Sequence, residues 1–241
     1  MFAAGVLGGI VGSAGGITSL ITFPALLAVG LAPLAANATN IVGLTAFWPA
    51  VAHGSRPELV GWGRWLWRWT LVMLAGGALG AGVLIVTPSD AFKRVVPFLV
   101  AAGALALIGE PWLRRRWRSP AHRSVVLGVW LAVLAAYSGY FGAGSGVMTL
   151  ALMLILVDRR MPTANALKNM LIGAATVPAA VLLAFFAPVH WADAAALAVG
   201  VLAGARVGPG VARRVPAEGL RWVVFLLAIG LAVELWLNPT F

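Results

Sequence analysis

The sequence predicts an all-α integral membrane protein made of two inverted-topology repeats, each a broken or re-entrant helix pair followed by three transmembrane helices. Three observations predict this fold: high hydropathy, a duplicated pattern of glycine and proline, and a one-sided distribution of basic residues. Of the 241 residues, 61% are hydrophobic and 10% charged, and the mean hydropathy is +0.97. Soluble domains are about a quarter charged, so we expect this chain to reside in a lipid bilayer.

Long apolar runs mark the expected membrane segments. A transmembrane helix needs about 20 consecutive, mainly apolar residues. Such segments are expected within residues 1–52, 66–86, 95–108, 125–157, 164–186, 192–211 and 220–237. No cleavable signal peptide is predicted, because the first residues lack a basic region and no small-residue cleavage site precedes a soluble domain.

The two halves of the chain match each other when one is displaced by 129 residues. At this displacement Gly15 falls on Gly144, Pro33 on Pro162, Asn40 on Asn169 and Pro49 on Pro178. Further along, the displacement becomes 128, which a single deletion explains. The duplication predicts a first repeat at 1–113, a basic cytoplasmic linker at 114–123 and a second repeat at 124–241.

Each repeat opens with an apolar stretch interrupted by glycine, at residues 2–32 and 124–157. As one helix the second stretch would be roughly 50 Å long, against a hydrocarbon core of about 30 Å. Its middle, residues 138–146, is rich in glycine and is poor helix material, and residues 12–16 are the matching segment. We therefore expect two helical arms joined at a bend, which is either re-entrant or fully spanning.

The basic residues favour arms that return to the side they entered. Loops 53–68, 110–123, 158–168 and 206–221 then share one face and hold fifteen of the seventeen basic residues, leaving Lys93 and Arg94 opposite. This matches the positive-inside rule. It predicts a multi-pass protein of the bacterial cytoplasmic (inner) membrane with both termini outside. An odd number of crossings per repeat inverts the second copy, so the two bends face each other near the bilayer midplane.

The bends predict an anion site, because the helix that follows each bend begins with N–H groups that have no partner within the helix. The alternative is that the glycines only allow close helix packing. The candidate contacts at the bends are Ser13, Gly15, Gly16, Thr18, Gly144, Ser145 and Gly146.

A second group of polar residues opens the helix after each broken stretch. Polar side chains inside an apolar run are expensive unless they are paired or wet, and Lys168 carries a charge that would neutralise an anion. Two alternatives stay open: Lys168 snorkels to the interface, and the amides tie helices together. The candidates are Thr39, Asn40, Asn165, Lys168, Asn169 and, at a glycine-flanked position, Arg206.

Composition argues against several other functions. There is no cysteine, and the three histidines lie far apart, so no cofactor and no metal site are expected. With no nucleophile elbow and no midmembrane pair of aspartates, the chain is not expected to be an enzyme. The net charge of +10 follows from orientation in the membrane, so nucleic acid is not an expected partner. Most of the eleven tryptophans lie at span ends, as in an interfacial aromatic belt.

At residues 12–16, 36–40, 137–146 and 164–169 the chain resembles the sulfite exporter TauE/SafE family of membrane permeases. The resemblance covers essentially the whole chain, including its duplicated layout. It implies export of a small sulfur-containing anion such as sulfite or an organosulfonate.

The sequence thus predicts a secondary transporter that exports a small inorganic or organic anion by alternating access at a midplane site between the two broken helices. A channel-like anion uniporter and a non-transporting membrane assembly or scaffold protein are the alternatives. The coupling ion is left open, and so is a homo-oligomer.

Overall fold

A computed structural model describes residues 1–116, 123–212 and 217–237, and it is helical in both halves. Most of the predicted basic linker, residues 117–122, lies outside the described residues. The first half consists of α1 (Phe2–Gly15), α2 (Ser19–Ala28), α3 (Pro33–Leu44), α4 (Phe47–Gly54), a short 3₁₀ helix (Pro57–Leu59), α5 (Gly63–Val86) and α6 (Ser89–Arg116).

The second half consists of α7 (Arg123–Tyr140), α8 (Ser145–Leu156), α9 (Met161–Phe186), α10 (Trp191–Ala212) and α11 (Ala217–Leu237). Its order of elements follows that of the first half. For example, α5 begins at residue 63 and α10 at 191, while α6 begins at 89 and α11 at 217, a displacement of 128 in both cases. The element bounds therefore repeat at the spacing that the glycine and proline pattern predicts.

Both expected helix breaks are present. The first separates α1 from α2 at residues 16–18, and the second separates α7 from α8 at residues 141–144. The two arms of the first break lie side by side, since a Cβ on Gly8 of α1 would come within 2.9 Å of the Thr22 side chain of α2. The chain therefore turns back on itself at the first break.

The span that follows the first break differs from its counterpart. Residues 33–54 form two helices, α3 and α4, which meet at Thr45 and Ala46, whereas α9 runs without interruption through Pro178. Pro49 has no N–H and its ring crowds the carbonyl four residues earlier. In the turn before Pro49, the Trp48 N–H bonds to the carbonyl of Thr45, three residues earlier (3.3 Å), instead of the residue four earlier as in an α-helix.

The two halves pack against each other reciprocally. The first helix of each half lies against the penultimate helix of the other, α1 on α10 and α7 on α5, and the last helices, α6 and α11, pair together. Gly5 of α1 contacts Gly200 of α10, and Val6 contacts Gly204. The contacts advance together along both helices, so α1 and α10 run in the same direction.

Small residues make this close packing possible. Along α5, Gly76 lies at Ala132 and Ala135 of α7, and Gly80 at Ala136, so α5 and α7 also run in the same direction. A Cβ on either glycine would collide with the α7 helix. Small residues four apart allow this approach in lipid, where there is no hydrophobic drive to bring helices together.

Among the described residues, α5 and α9 are both long enough and apolar enough to cross a bilayer by themselves. The arms of the breaks are shorter. At a rise of about 1.5 Å per residue, α1 with 14 residues, α2 with 10 and α8 with 12 are well below the ~30 Å of a hydrocarbon core, and α7 with 18 is close to it. The lengths of α1, α2 and α8 match arms that return from within the membrane.

Candidate functional site

The two helix breaks meet each other at Gly16 and Gly146. A Cβ on Gly16 would come within 2.8 Å of the Gly146 backbone, and a Cβ on Gly146 would collide with the Gly16 carbonyl oxygen. Any larger residue at either position would push the two backbones apart. The close approach therefore joins Gly16 of the first break to Gly146, which lies in the first turn of α8 directly after the second break.

Backbone conformation at the breaks requires glycine. Gly16 has φ 74°, and Gly142 and Gly144 have φ 79° and 80°, a region that residues with a Cβ rarely adopt. The second break is further held by the Tyr137 hydroxyl, which donates to the Ala143 carbonyl (2.6 Å). The chain direction at both bends is therefore set by glycines with positive φ and, at the second bend, also by the Tyr137 hydrogen bond.

A cavity of about 80 Å³ lies where the breaks meet and is lined from both halves. The first half contributes Gly16, Thr18 and Trp48, among others, and the second half contributes the polar groups that follow its break. Of the thirteen predicted site residues, six line this cavity: Gly16, Thr18, Ser145, Gly146, Lys168 and Asn169. The structure thus brings together one group from the bends and one from the polar helix α9.

Lys168 is the one titratable side chain among the described residues that line the cavity. It is 2% exposed, and its Nζ has no hydrogen-bond or ion-pair partner within the described part of the chain. The side chain therefore does not reach the surface of the protein as the snorkelling alternative requires. A buried ammonium without a partner is costly, which distinguishes this lysine from one held by a structural ion pair.

The first turn of α8 leaves N–H groups available at the same place. The Ser145 N–H bonds to the Gly142 carbonyl (3.1 Å) and the Met148 N–H to the Gly144 carbonyl (3.1 Å). Between them, the N–H groups of Gly146 and Val147 have no backbone acceptor among the described residues, as expected in a first helical turn. The Ser145 hydroxyl itself donates to the Gly142 carbonyl (2.7 Å), so it is already engaged in the bend.

Asn165 occupies a different position from the cavity-lining residues. Its Nδ2 donates to the Ser13 carbonyl at the end of α1 (2.9 Å), across the two halves. Asn37 makes the reciprocal bond, from its Nδ2 to the Tyr140 carbonyl at the end of α7 (2.8 Å). Carbonyls at helix ends lack partners within the helix, so each half supplies an amide for the broken helix of the other.

The remaining predicted residues lie outside the cavity lining. Thr39 accepts a hydrogen bond from the His190 N–H (2.9 Å), and Asn40 accepts one from the Thr22 hydroxyl (2.6 Å). The Ser13 hydroxyl donates to Ile10 of its own helix (2.8 Å).

Three further predicted residues have other surroundings. Gly15 is the last residue of α1, Gly144 approaches Gly103 of α6, and Arg206 is exposed on α10. Ligand binding by any of the thirteen residues, inside or outside the cavity, stays a prediction.

Trp48 is a cavity residue that the sequence pattern does not reveal. Its indole Nε1 is buried and has no acceptor among the described residues. The ring lies so close to Gly173 of α9 that a Cβ there would collide with it. A tryptophan near the end of a span is typical of the interfacial belt, and only the packing of α4 on α9 distinguishes this one.

Comparison with known proteins identifies a family and several relatives. The profile of the family described as "Sulfite exporter TauE/SafE" matches residues 1–235. A Sinorhizobium protein named "Probable membrane transporter protein ORF9" is 28% identical over 242 residues, covering 100% of this chain and 92% of its own. A Haemophilus influenzae protein named "Probable membrane transporter protein" is 26% identical over 86% of this chain and 82% of its own. "Probable membrane transporter protein YfcA" of Escherichia coli K12 is 25% identical, over 97% and 86% respectively. No solved structure matches the chain.

Proposed function

The chain belongs to the sulfite exporter TauE/SafE family, and from this premise we propose that it is a secondary transporter that exports a small sulfur-containing anion, of the sulfite or organosulfonate class. The binding site is the cavity between the two helix breaks. Lys168 supplies the positive charge there, while Asn169, Thr18, the free N–H groups of α8 and the Trp48 indole supply hydrogen bonds.

One observation carries the proposal: a buried lysine, whose Nζ has no partner among the described residues, lies in a cavity formed where two helix breaks meet. Charge, hydrogen-bond donors and the positive end of a helix together favour an anion. No acidic side chain lines this cavity within the described part of the chain. A cation would have no carboxylate there to bind it.

The size of the cavity supports a compact ligand. Sites for drug-sized molecules have volumes of about 300–1,000 Å³, several times the roughly 80 Å³ of this one. Sulfite and the smallest sulfonates suit such a space. Aliphatic and aromatic residues, Ile41, Phe47 and Ile172 among them, form part of the wall and would accept a methyl group.

Helix directions support the inverted repeat on which alternating access depends. Because α8 follows α7 after a four-residue break and packs on it, we infer that α8 returns along α7 and that α9 begins on the side where α7 began. The short connection from α9 to α10 then reverses α10. Since α1 runs with α10 and α5 runs with α7, the matching helices α1 and α7 run in opposite directions, and rocking of one repeat against the other would expose the shared site alternately.

Transport by purified protein in liposomes tests the proposal. We expect uptake of labelled sulfite, thiosulfate or methanesulfonate by wild-type vesicles. The Lys168→Gln variant should show a loss of about 10-fold or more in uptake, because a hydrogen bond to a charged group contributes about 1.5–3 kcal/mol. Lys93→Gln is the matched control, since Lys93 is the other lysine of the chain and lines a separate cavity with Asp90 and Arg94. Equal losses in both variants would contradict the proposed site.

Two alternative functions give different results in the same vesicles. A carrier that alternates accelerates uptake of label when unlabelled anion is present inside, whereas a channel-like uniporter does not. A scaffold protein shows neither flux nor anion-dependent thermal stabilisation. Absence of both signals with all three anions would overturn the proposed function.

A further inference from the structure

The position of Lys168 also suits a residue that carries a proton, and a proton would then be the ion coupled to transport of the anion. This step rests on the proposed function and concerns the same cavity. The Lys168 side chain is 2% exposed, and no carboxylate of the described residues bonds to its Nζ. A charge that is buried away from water without a partner is costly, and a buried ionisable group without a partner therefore favours its neutral form. An anion in the cavity removes that penalty by pairing with the ammonium.

Among the described residues, no titratable side chain on the elements packed around α9 lines the cavity, so Lys168 is the candidate proton carrier there. Helices α3 and α8, which flank it in the cavity, carry no titratable side chain. The other elements in contact with α9 carry His53, Glu58, Arg64, Arg68, Arg123, Tyr137 and Tyr140. Of the described residues among these, none lines the cavity. Glu58 is the one carboxylate in this set, and it forms no ion pair with Lys168 in the described structure.

We propose that Lys168 is a neutral amine when the site is empty and takes up one proton from water together with the anion, so that the transporter moves one proton with each anion. The proton adds to the Nζ lone pair on the loading side and returns to water on the release side, and no bond to the anion forms. The empty transporter then changes the side to which its site is open with a neutral amine in the cavity. This avoids the cost of burying an unpaired ammonium during that step.

For a dianion, the direction of export is compatible with this coupling. A dianion accompanied by one proton carries a net charge of −1, so an inside-negative potential still favours its exit. A monoanion with one proton is electroneutral, and only its own gradient and the pH gradient act on it. The coupling therefore distinguishes the two charge classes of cargo.

Equilibrium accumulation in wild-type proteoliposomes tests the proposal without any variant. Methanesulfonate is a permanent monoanion, so protons that enter with it are carried by the protein. With one proton per anion, a clamped potential of 100 mV should leave its accumulation ratio unchanged, and an inward gradient of one pH unit should raise that ratio 10-fold. Without the proton, the potential should change the ratio about 50-fold and the pH gradient should have no effect. Thiosulfate, a permanent dianion, should respond to 100 mV about 50-fold with a proton and about 2,000-fold without one.

The Lys168→Arg variant provides a second measurement, because a guanidinium keeps its proton. We expect net uptake to fall at least 10-fold and to lose its dependence on the pH gradient, while exchange of labelled for unlabelled anion falls less than net uptake does. Lys93→Arg is the control and should behave as wild type. If an anion enters without its predicted proton, the coupling is overturned and the transporter stands. If none of the three anions enters or binds, the proposed function fails, and the coupling fails with it.

Discussion

At the scale of single residues, Trp48 allows the sharpest test of the cavity. Its buried indole N–H has no acceptor in the described structure, so replacing it removes a donor that only a bound ligand would use. Trp48→Phe keeps an aromatic ring against Gly173. We expect the anion concentration at half-maximal uptake to rise about 10-fold or more, since a hydrogen bond to a charged group is worth about 1.5–3 kcal/mol.

The matched control for that change is Trp67→Phe, since Trp67 is 68% exposed on α5 and should leave half-saturation unchanged. The maximal rate and the melting temperature of Trp48→Phe should stay near those of the wild type, because the ring volume is largely retained. An unchanged half-saturation in Trp48→Phe would show that its indole N–H does not face the ligand.

Residue-level patterns in the sequence locate some of the cavity and miss the rest for a physical reason. Lys168 and Asn169 stand out because charge and amide groups inside an apolar run need a partner. The same signal marks Asn165, whose partner is a carbonyl of the other half. A costly polar group shows that a partner exists and leaves open whether that partner is a ligand or the protein.

At the scale of elements, the contact between the two helix breaks is the feature most sensitive to a single methyl group. Gly16→Ala places a Cβ within 2.8 Å of the Gly146 backbone and forces a residue with a Cβ to φ 74°. The unfavourable conformation alone costs about 1–2 kcal/mol. We expect a lower melting temperature in detergent and a loss of transport, because the walls of the cavity must separate.

Gly30→Ala separates these two effects. Gly30 has φ 90°, and a Cβ there would meet nothing within 4 Å, so this variant carries the conformational cost without the collision. We expect it to be destabilised by a similar ~1–2 kcal/mol and to retain transport. If Gly16→Ala behaves like Gly30→Ala in both measurements, close approach of the breaks is not required for transport.

The sequence predicts most of the elements, because glycine and proline act locally. Both breaks fall in glycine-rich segments, where helix propensity is low whatever the tertiary context. The division of α3 from α4 is not predicted in this way. Pro49 and Pro178 occupy equivalent positions, yet the helix is interrupted before Pro49 and continues through Pro178, so proline alone does not determine the break.

At the scale of the whole molecule, the last prediction concerns the orientation of the chain in the membrane. The distribution of basic residues predicts that the loops before α5 and before α9 face the cytoplasm, and that the turns before α6 and before α10 face outside. The helix directions inferred from packing agree with such an arrangement, because α5 and α9 begin on the same side. Both arguments depend on arms that return at each break.

Single cysteines test this arrangement directly, because the natural chain contains none and every label therefore reports one introduced position. Ser55→Cys and Met161→Cys should react with a membrane-impermeant maleimide only after the cells are opened. Ser89→Cys and Pro188→Cys should react in intact cells. Ser89, Pro188 and Met161 are exposed and Ser55 is half-buried, so a denatured sample of each provides the reference for complete labelling. Labelling of Ser89→Cys and Pro188→Cys from opposite sides would mean that one break does not return, and the matching helices would then run in the same direction.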